Sequence, residues 1–167
     1  EREKGCETLL RTARLLRGRD EIELHVAGSG SYEKQFEGLA RQLPNVRWHG
    51  FVSGSAKQEL LSQADVFLQL SECRENAPLG LLEAQRYGLY LVGTRIGGIP
   101  EQIDSPETGR LIPAADPQAL FETLEELRIA APGVRNGRAA RICRGAGYGM
   151  RQMAEQYVQV FESILES

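Results

Sequence analysis

Two carboxylates, Glu75 and Glu83, bracket Asn76-Ala77-Pro78-Leu79-Gly80-Leu81-Leu82, which reads as the mouth of a helix. Asn76 or Ala77 stands where an N-cap belongs, Pro78 suits the first helical position, and Leu79, Leu81 and Leu82 begin an apolar face. Glu75 then precedes the helix, in the space its free N–H groups point into, and Glu83 lies inside it. A phosphate fits at such a helix start, with an acidic acceptor on each side for hydroxyl groups. A diphosphate flanked by two sugars has that shape. Two solvated carboxylates would show the same spacing, so the surrounding elements have to decide.

Leu9, Leu10, Ala13 and Leu16 form a helical stripe stopped by Gly18, and Tyr32, Phe36, Leu39 and Leu43 form a second, closed by Pro44. Leu60, Leu61 and Ala64 mark a third helix, capped by Ser53 or Ser55. Further helices are expected over 78–87, ending at Gly88, and from Asp116-Pro117 to about 129, with two more near 135–145 and 150–166. Short apolar strands are expected over 22–27, 46–48, 66–70, 89–92 and 109–112. Strands separated by helices imply a doubly wound parallel sheet with helices on both faces, a Rossmann-like α/β fold. Ligands bind such sheets at the carboxyl ends of the strands. Those ends carry Gly28-Ser29-Gly30, the Glu75–Glu83 segment and Gly97-Gly98.

The 167 residues, 41% hydrophobic and 26% charged, suit one globular domain, and a net charge of −3 argues against a nucleic-acid surface. Arg135, Arg138, Arg141 and Arg144 recur every third residue and read as one solvated helix face, or as a weak membrane or partner contact. Cys6, Cys73 and Cys143 show neither a disulfide framework nor zinc spacing, which leaves reduced thiols in a cytoplasm. No apolar run reaches transmembrane length.

The glycine motifs keep two readings each. Gly28-x-Gly30 is a phosphate loop or a tight turn, and Gly97-Gly98 an anion cradle or a strand–helix turn. A dinucleotide fingerprint fails, because Glu33 stands at the third glycine position and no acidic residue follows the next strand. Lys4, Arg74 and Arg95 are candidate phosphate cations or plain surface charges. His25 reads as a core or sheet histidine, and His49 as a strand-end group within reach of a base or ribose. No Asp-x-Asp pair and no serine-nucleophile motif occurs, so no metal site is expected and any chemistry would use positioned charges and hydrogen bonds.

Several stretches run in one order: Lys4-Gly5, Val26-Ala27-Gly28-Ser29-Gly30, Val46 to Phe51, Ala64-Asp65-Val66-Phe67, and Glu75 with Glu83-Ala84. Gly88, Thr94-x-x-Gly97-Gly98-x-Pro100-Glu101, Thr108 to Pro113, Asp116-Pro117-x-x-Leu120 and Met153 to Phe161 continue it. With them the chain closely resembles the donor-binding half of the retaining glycosyltransferases of family 4, which have the two-domain GT-B fold. The resemblance implies that Glu75 contacts hydroxyls of the transferred sugar, as the catalytic candidate, and that Glu83 binds the ribose of the nucleoside diphosphate. It further implies that the Leu79 and Gly80 amides hold the diphosphate, that Lys4 neutralises it, that Gly28 and Gly30 line its pocket, and that Gly97 and Gly98 border the sugar site.

The implied activity moves a hexose from a nucleoside-diphosphate sugar to a glycan or lipid-type acceptor, in the cytoplasm, with neither metal nor cofactor. The whole of 1–167 would be one donor-binding domain. An N-terminal acceptor domain, and a strand bearing a phosphate-binding arginine, would precede Lys4, and membrane association would come only through that half. A helix over 148–167 would cross back to it, leaving Tyr157, Val160, Phe161 and Ile164 partly exposed. Asn76-Ala77-Pro78 departs from the family's frequent aromatic-glycine pair, Ser71 lies four residues before Glu75 where three is commoner, and Tyr90 replaces a frequent proline. A nucleotide-binding module without transfer activity therefore stays open as an alternative. So does a related enzyme such as an epimerase or phosphorylase, although Lys34 and Lys57 sit on expected surface helices rather than where a pyridoxal lysine belongs.

Overall fold

Among the described residues every strand pairing is parallel. The computed structural model describes residues 2–145 and, beyond them, 154–155, 157–159 and 161–162. A short 3-10 turn, Arg2–Lys4, leads into α1 (Cys6–Leu15), β1 (Leu24–Val26), α2 (Glu33–Gln42), β2 (Val46–Trp48) and α3 (Gly54–Gln63). Then follow β3 (Val66–Gln69), α4 (Leu79–Arg86), β4 (Tyr90–Thr94), α5 (Ile99–Gln102), β5 (Gly109–Ile112), α6 (Pro117–Ile129), α7 (Ala131–Asn136) and α8 (Arg138–Gly145).

The expected sheet is hydrogen-bonded in two pieces, β1-β2 and β3-β4-β5. Both pieces nevertheless share a core. Leu24 of β1 and Val92 of β4 belong to one buried cluster with Leu10, Leu16, Phe36 and Leu120, contributed by α1, α2 and α6. Alternation along the strands supplies the other face. Leu91, next to Val92, joins Leu81, Ala84, Ile99 and Ile103 beneath α4 and α5, with Phe67 and Leu111 packed against them. Helices thus cover both faces, as the strand–helix order requires. Burial is uneven: β4 is almost fully buried, whereas every residue of β3 is only half-buried.

Local rules set the element ends. The Asp116 side chain accepts from the Ala119 amide at 2.9 Å, with Pro117 at the first position of α6. Gly88, at φ 67, ends α4, and its amide donates to Gln85 O at 2.9 Å. The start of α4 differs from expectation by one residue. Pro78 is the N-cap, with ψ 113 in the extended range, so the helix begins at Leu79.

The arginine row also differs from the expected solvated face. Arg138 donates to Tyr87 O (2.9 Å), Ala64 O (3.1 Å), Leu61 O (3.3 Å) and Ser62 O (2.8 Å), at the carboxyl ends of α3 and α4. Arg141 is buried and donates to Gly88 O at 2.8 Å, while Arg135 bonds Asp65. Helix ends leave carbonyls without intrahelical partners and carry partial negative charge, so the cations Arg138 and Arg141 of α8 settle there. Burial, then the neighbouring Arg138 charge, lowers the Arg141 pKa. Most of the expected last helix, with Val160 and Ile164, lies outside the described residues. Within it Tyr157 and Phe161 are exposed, and their rings stack with centroids 6.5 Å apart.

Candidate functional site

Gly5 adopts φ 73, and a Cβ there would lie 2.1 Å from Leu70 O. Only glycine lets the N-terminal turn approach the end of β3 this closely, and the approach delivers Lys4. Its Nζ donates to Glu75 Oε1 at 2.9 Å. The same oxygen accepts from Gln69 Nε2 at 3.2 Å and from the Ser71 hydroxyl. Gln69 also donates to Ser71 Oγ at 2.8 Å, and Thr94 Oγ1 donates to Ser71 O at 2.7 Å, tying the loop to the ends of β3 and β4.

Three donors therefore converge on one oxygen of Glu75, and a carboxylate has a second oxygen to offer a ligand. Burial pushes the Glu75 carboxyl up, but the bonds from Ser71, Lys4 and Gln69 outweigh it and hold the group below the usual glutamate range. Its side chain is 17% exposed, against 48% for Lys4.

Gly97 and Gly98 close the loop from the other side. A Cβ on Gly97 would fall 2.4 Å from Glu75 O, and one on Gly98 would fall 1.8 Å from Asn76 O. The Gly98 amide donates to Glu75 O at 2.7 Å. Their glycine character here serves close backbone contact, holding the Glu75 loop in front of α4. Leu79 and Gly80 open that helix, and first-turn amides lack intrahelical acceptors. Gly80 packs on Phe67, with a Cβ position 3.1 Å from the ring.

Glu83, farther along α4, has a partner that sequence reading missed: Lys57 of α3, with Nζ 2.5 Å from Glu83 Oε2. Gln69 was also missed, although a polar residue closing an apolar strand at its carboxyl end is a usable signal. Lys57 gave none, because nothing local links the two helices.

Gly28 and Gly30 follow β1 and have partners of their own. The Gly28 amide donates to Gly50 O at 2.7 Å, and the Gly30 amide to Glu33 Oε1 at 2.7 Å, so that a carboxylate of the chain stands where an anion would sit. Arg95 turns to Leu111 O at 3.3 Å, and Arg74 is exposed. His25 is in the sheet but faces solvent, stacking on His49 with Nδ1 3.0 Å from its Nε2. Burial first, then the His25 and Arg47 charges, lowers the His49 pKa. Among the described residues no three His, Cys, Asp or Glu side chains gather as a metal cluster, and no helix is long and apolar enough to cross a membrane.

A parallel sheet covered on both faces, with Glu75 and Lys4 paired at its carboxyl rim, defines a Rossmann-like α/β domain of the kind found in GT-B glycosyltransferases. The family model described as "Glycosyl transferases group 1" matches residues 1–129, and the chain belongs to that family. It is 34% identical over 108 residues to the N-acetyl-alpha-D-glucosaminyl L-malate synthase of Bacillus anthracis, covering 64% of this chain and 28% of that protein. It is 32% identical over 147 residues to the D-inositol 3-phosphate glycosyltransferase of Corynebacterium urealyticum, covering 83% of this chain and 33% of that one. The chain thus spans about a third of the length of these curated relatives. Among solved structures it resembles Anabaena Alr3699/HepE in complex with UDP, at TM-score 0.81 and 16% identity over 98% of this chain and 46% of that one. It also resembles the catalytic domain of the Helicobacter pylori cholesterol-alpha-glucosyltransferase, at TM-score 0.73 and 16% identity over 89% of this chain and 93% of that one.

Proposed function

We propose that this chain is the donor-binding half of a retaining glycosyltransferase of family 4, moving a hexose from a nucleoside-diphosphate sugar to a glycan or lipid-type acceptor. The observation that carries the reading is Glu75, held by Lys4, Ser71 and Gln69 immediately ahead of α4. In this reading Glu75 takes hydroxyls of the sugar, Glu83 takes the ribose, and the Leu79 and Gly80 amides with Lys4 take the diphosphate. Gly28 and Gly30 line the diphosphate pocket, and Gly97 and Gly98 border the sugar.

The division suits the chemistry. Breaking the sugar–phosphate bond leaves a cation-like sugar and an anionic leaving group. Fixed amides and a cation aimed at that anion stabilise the transition state, and one such donor is worth about 3–4 kcal/mol. A metal is then unnecessary. Lys4 changes partner on binding, from the Glu75 carboxylate to the diphosphate, as the sugar hydroxyls reach Glu75.

The two hydrogen-bonded pieces of sheet support an upstream strand in the complete protein. The half-buried β3 is one edge such a strand would cover. The acceptor domain would come with it, and the relatives' greater length supports that. We place the reaction in the cytoplasm, with any membrane contact made through the acceptor domain.

Calorimetric titration with UDP, GDP and ADP, each with magnesium and with EDTA, tests the reading. Saturable, metal-independent binding of one diphosphate that Glu83→Gln weakens is the expected result. Binding abolished by EDTA would overturn the metal-free chemistry, and unchanged affinity in Glu83→Gln the ribose role. Binding without transfer, once the acceptor domain is supplied, would favour a nucleotide-binding module instead.

A further inference from the structure

Lys57 stands near the start of α3, twenty-six positions before Glu83, and the two meet because α3 and α4 pack over one core. Leu61 of α3 packs against the buried cluster that includes Leu81 and Ala84 of α4. The Lys57 and Glu83 side chains are 43% and 44% exposed, a setting in which an ion pair adds little to the stability of a fold. Its consequence is where it leaves the carboxylate. Lys57 occupies Oε2, and Oε1 remains an acceptor. A side chain already fixed by one partner loses less freedom when a ligand arrives. Lys4 stands in the same relation to Glu75, so a lysine holds each of the two acids that bracket the start of α4.

We infer that Lys57 is a positioning residue for ribose recognition: it fixes Glu83 so that the carboxylate meets the hydroxyls of the nucleoside. This rests on the donor-binding reading above. Lys57 acts through Glu83 and not on the phosphates.

Inorganic diphosphate separates these roles, because it has the phosphates and lacks the ribose. Affinities for UDP, GDP, ADP and inorganic diphosphate are measured for the chain and its Lys57→Met, Lys57→Arg, Glu83→Gln and Lys57→Met/Glu83→Gln variants. Lys57→Met is expected to weaken the preferred nucleoside diphosphate by up to about fivefold, the scale of an exposed charge pair, and to leave inorganic diphosphate unchanged. Lys57→Arg should restore most of the loss, and Lys57→Met should do nothing further in the Glu83→Gln background. Equal losses for both ligands would make Lys57 a phosphate cation and overturn the proposal. Additive losses in the double variant, or tighter nucleotide binding by Lys57→Met, would overturn it too. If Glu83→Gln weakens the nucleotide and Lys57→Met does not, only the Lys57 role falls. If the unmodified chain binds no nucleoside diphosphate, the donor reading falls and this role with it.

Discussion

Gly98→Ala adds one methyl group at the tightest contact in the site. The Gly98 backbone, at φ −86 and ψ 3, is open to any residue, so conformational strain plays no part. The added carbon would lie 1.8 Å from Asn76 O and 2.9 Å from Asn76 C, inside contact distance, and both neighbours are backbone atoms that no rotamer change can move. The 75–76 loop must withdraw, weakening the 2.7 Å bond from the Gly98 amide to Glu75 O. Overpacking costs about 1–3 kcal/mol and a lost hydrogen bond about 0.5–1.5 kcal/mol. Together these give about 1.5–4.5 kcal/mol, or a fall of about 3–18 °C in Tm for a chain of this size. Gly38→Ala is the control. Gly38 lies within α2 with nothing within 4 Å of its Cβ position, so alanine should stabilise. The gain is about 0.5–1 kcal/mol, raising Tm by about 1–4 °C. Thermal melts by circular dichroism, confirmed by urea titration, read both. A Gly98→Ala melt within about 1 °C of the unmodified chain would refute the close-contact reasoning.

Glu75→Gln should weaken a sugar nucleotide by about 1.5–3 kcal/mol while sparing the free nucleoside diphosphate; calorimetry showing equal losses would count against the division of roles. The Glu75 pKa is depressed, so the ionised group stabilises the fold above about pH 4.3 and the contribution is lost as pH falls through the folded-state value. The urea-derived stability gap between the unmodified chain and Glu75→Gln should accordingly narrow from pH 7 to pH 3, and a widening gap would contradict the sign. Arg138→Met removes a charged donor from four carbonyls and should lower stability by about 1.5–3 kcal/mol. A change within about 0.5 kcal/mol would restore the solvated-face reading.

Where a rule acts within a few residues, the sequence was enough to read it. Asp116-Pro117 marked the start of α6, and prolines and glycines bounded β2 and β5 at the expected positions. Misplaced ends have identifiable competitors. Ile22 donates its amide to Arg19 O in a turn, shortening β1, and Leu89 donates to Ala84 O, completing the end of α4 instead of opening β4. The arginine row failed for a different reason. A spacing of three describes one helix surface but not what lies opposite, and here that is the unpaired carbonyls of two other helices. The paired acids were visible as a spacing. Neither lysine partner was legible: Lys4 was expected at the phosphates, and its pairing with Glu75 depends on the contact of Gly5 with the distant Leu70, while Lys57 depends on how α3 and α4 pack.

The site therefore joins two kinds of construction with different responses to change. Its backbone is held by steric contact: Gly5 on Leu70, Gly97 on Glu75 and Gly98 on Asn76. Interiors packed this closely yield little, so a methyl group at any of these positions displaces the loop carrying Glu75. Its charges are held by pairs whose lysines are 48% and 43% exposed, where replacement leaves the fold nearly unchanged. Stability and affinity should then fall together in the glycine variants and separate in the lysine variants. A scaffold that is rigid beneath and adjustable above suits the proposed ligand, which would displace Lys4 from Glu75 and meet Glu83 while Lys57 still holds it.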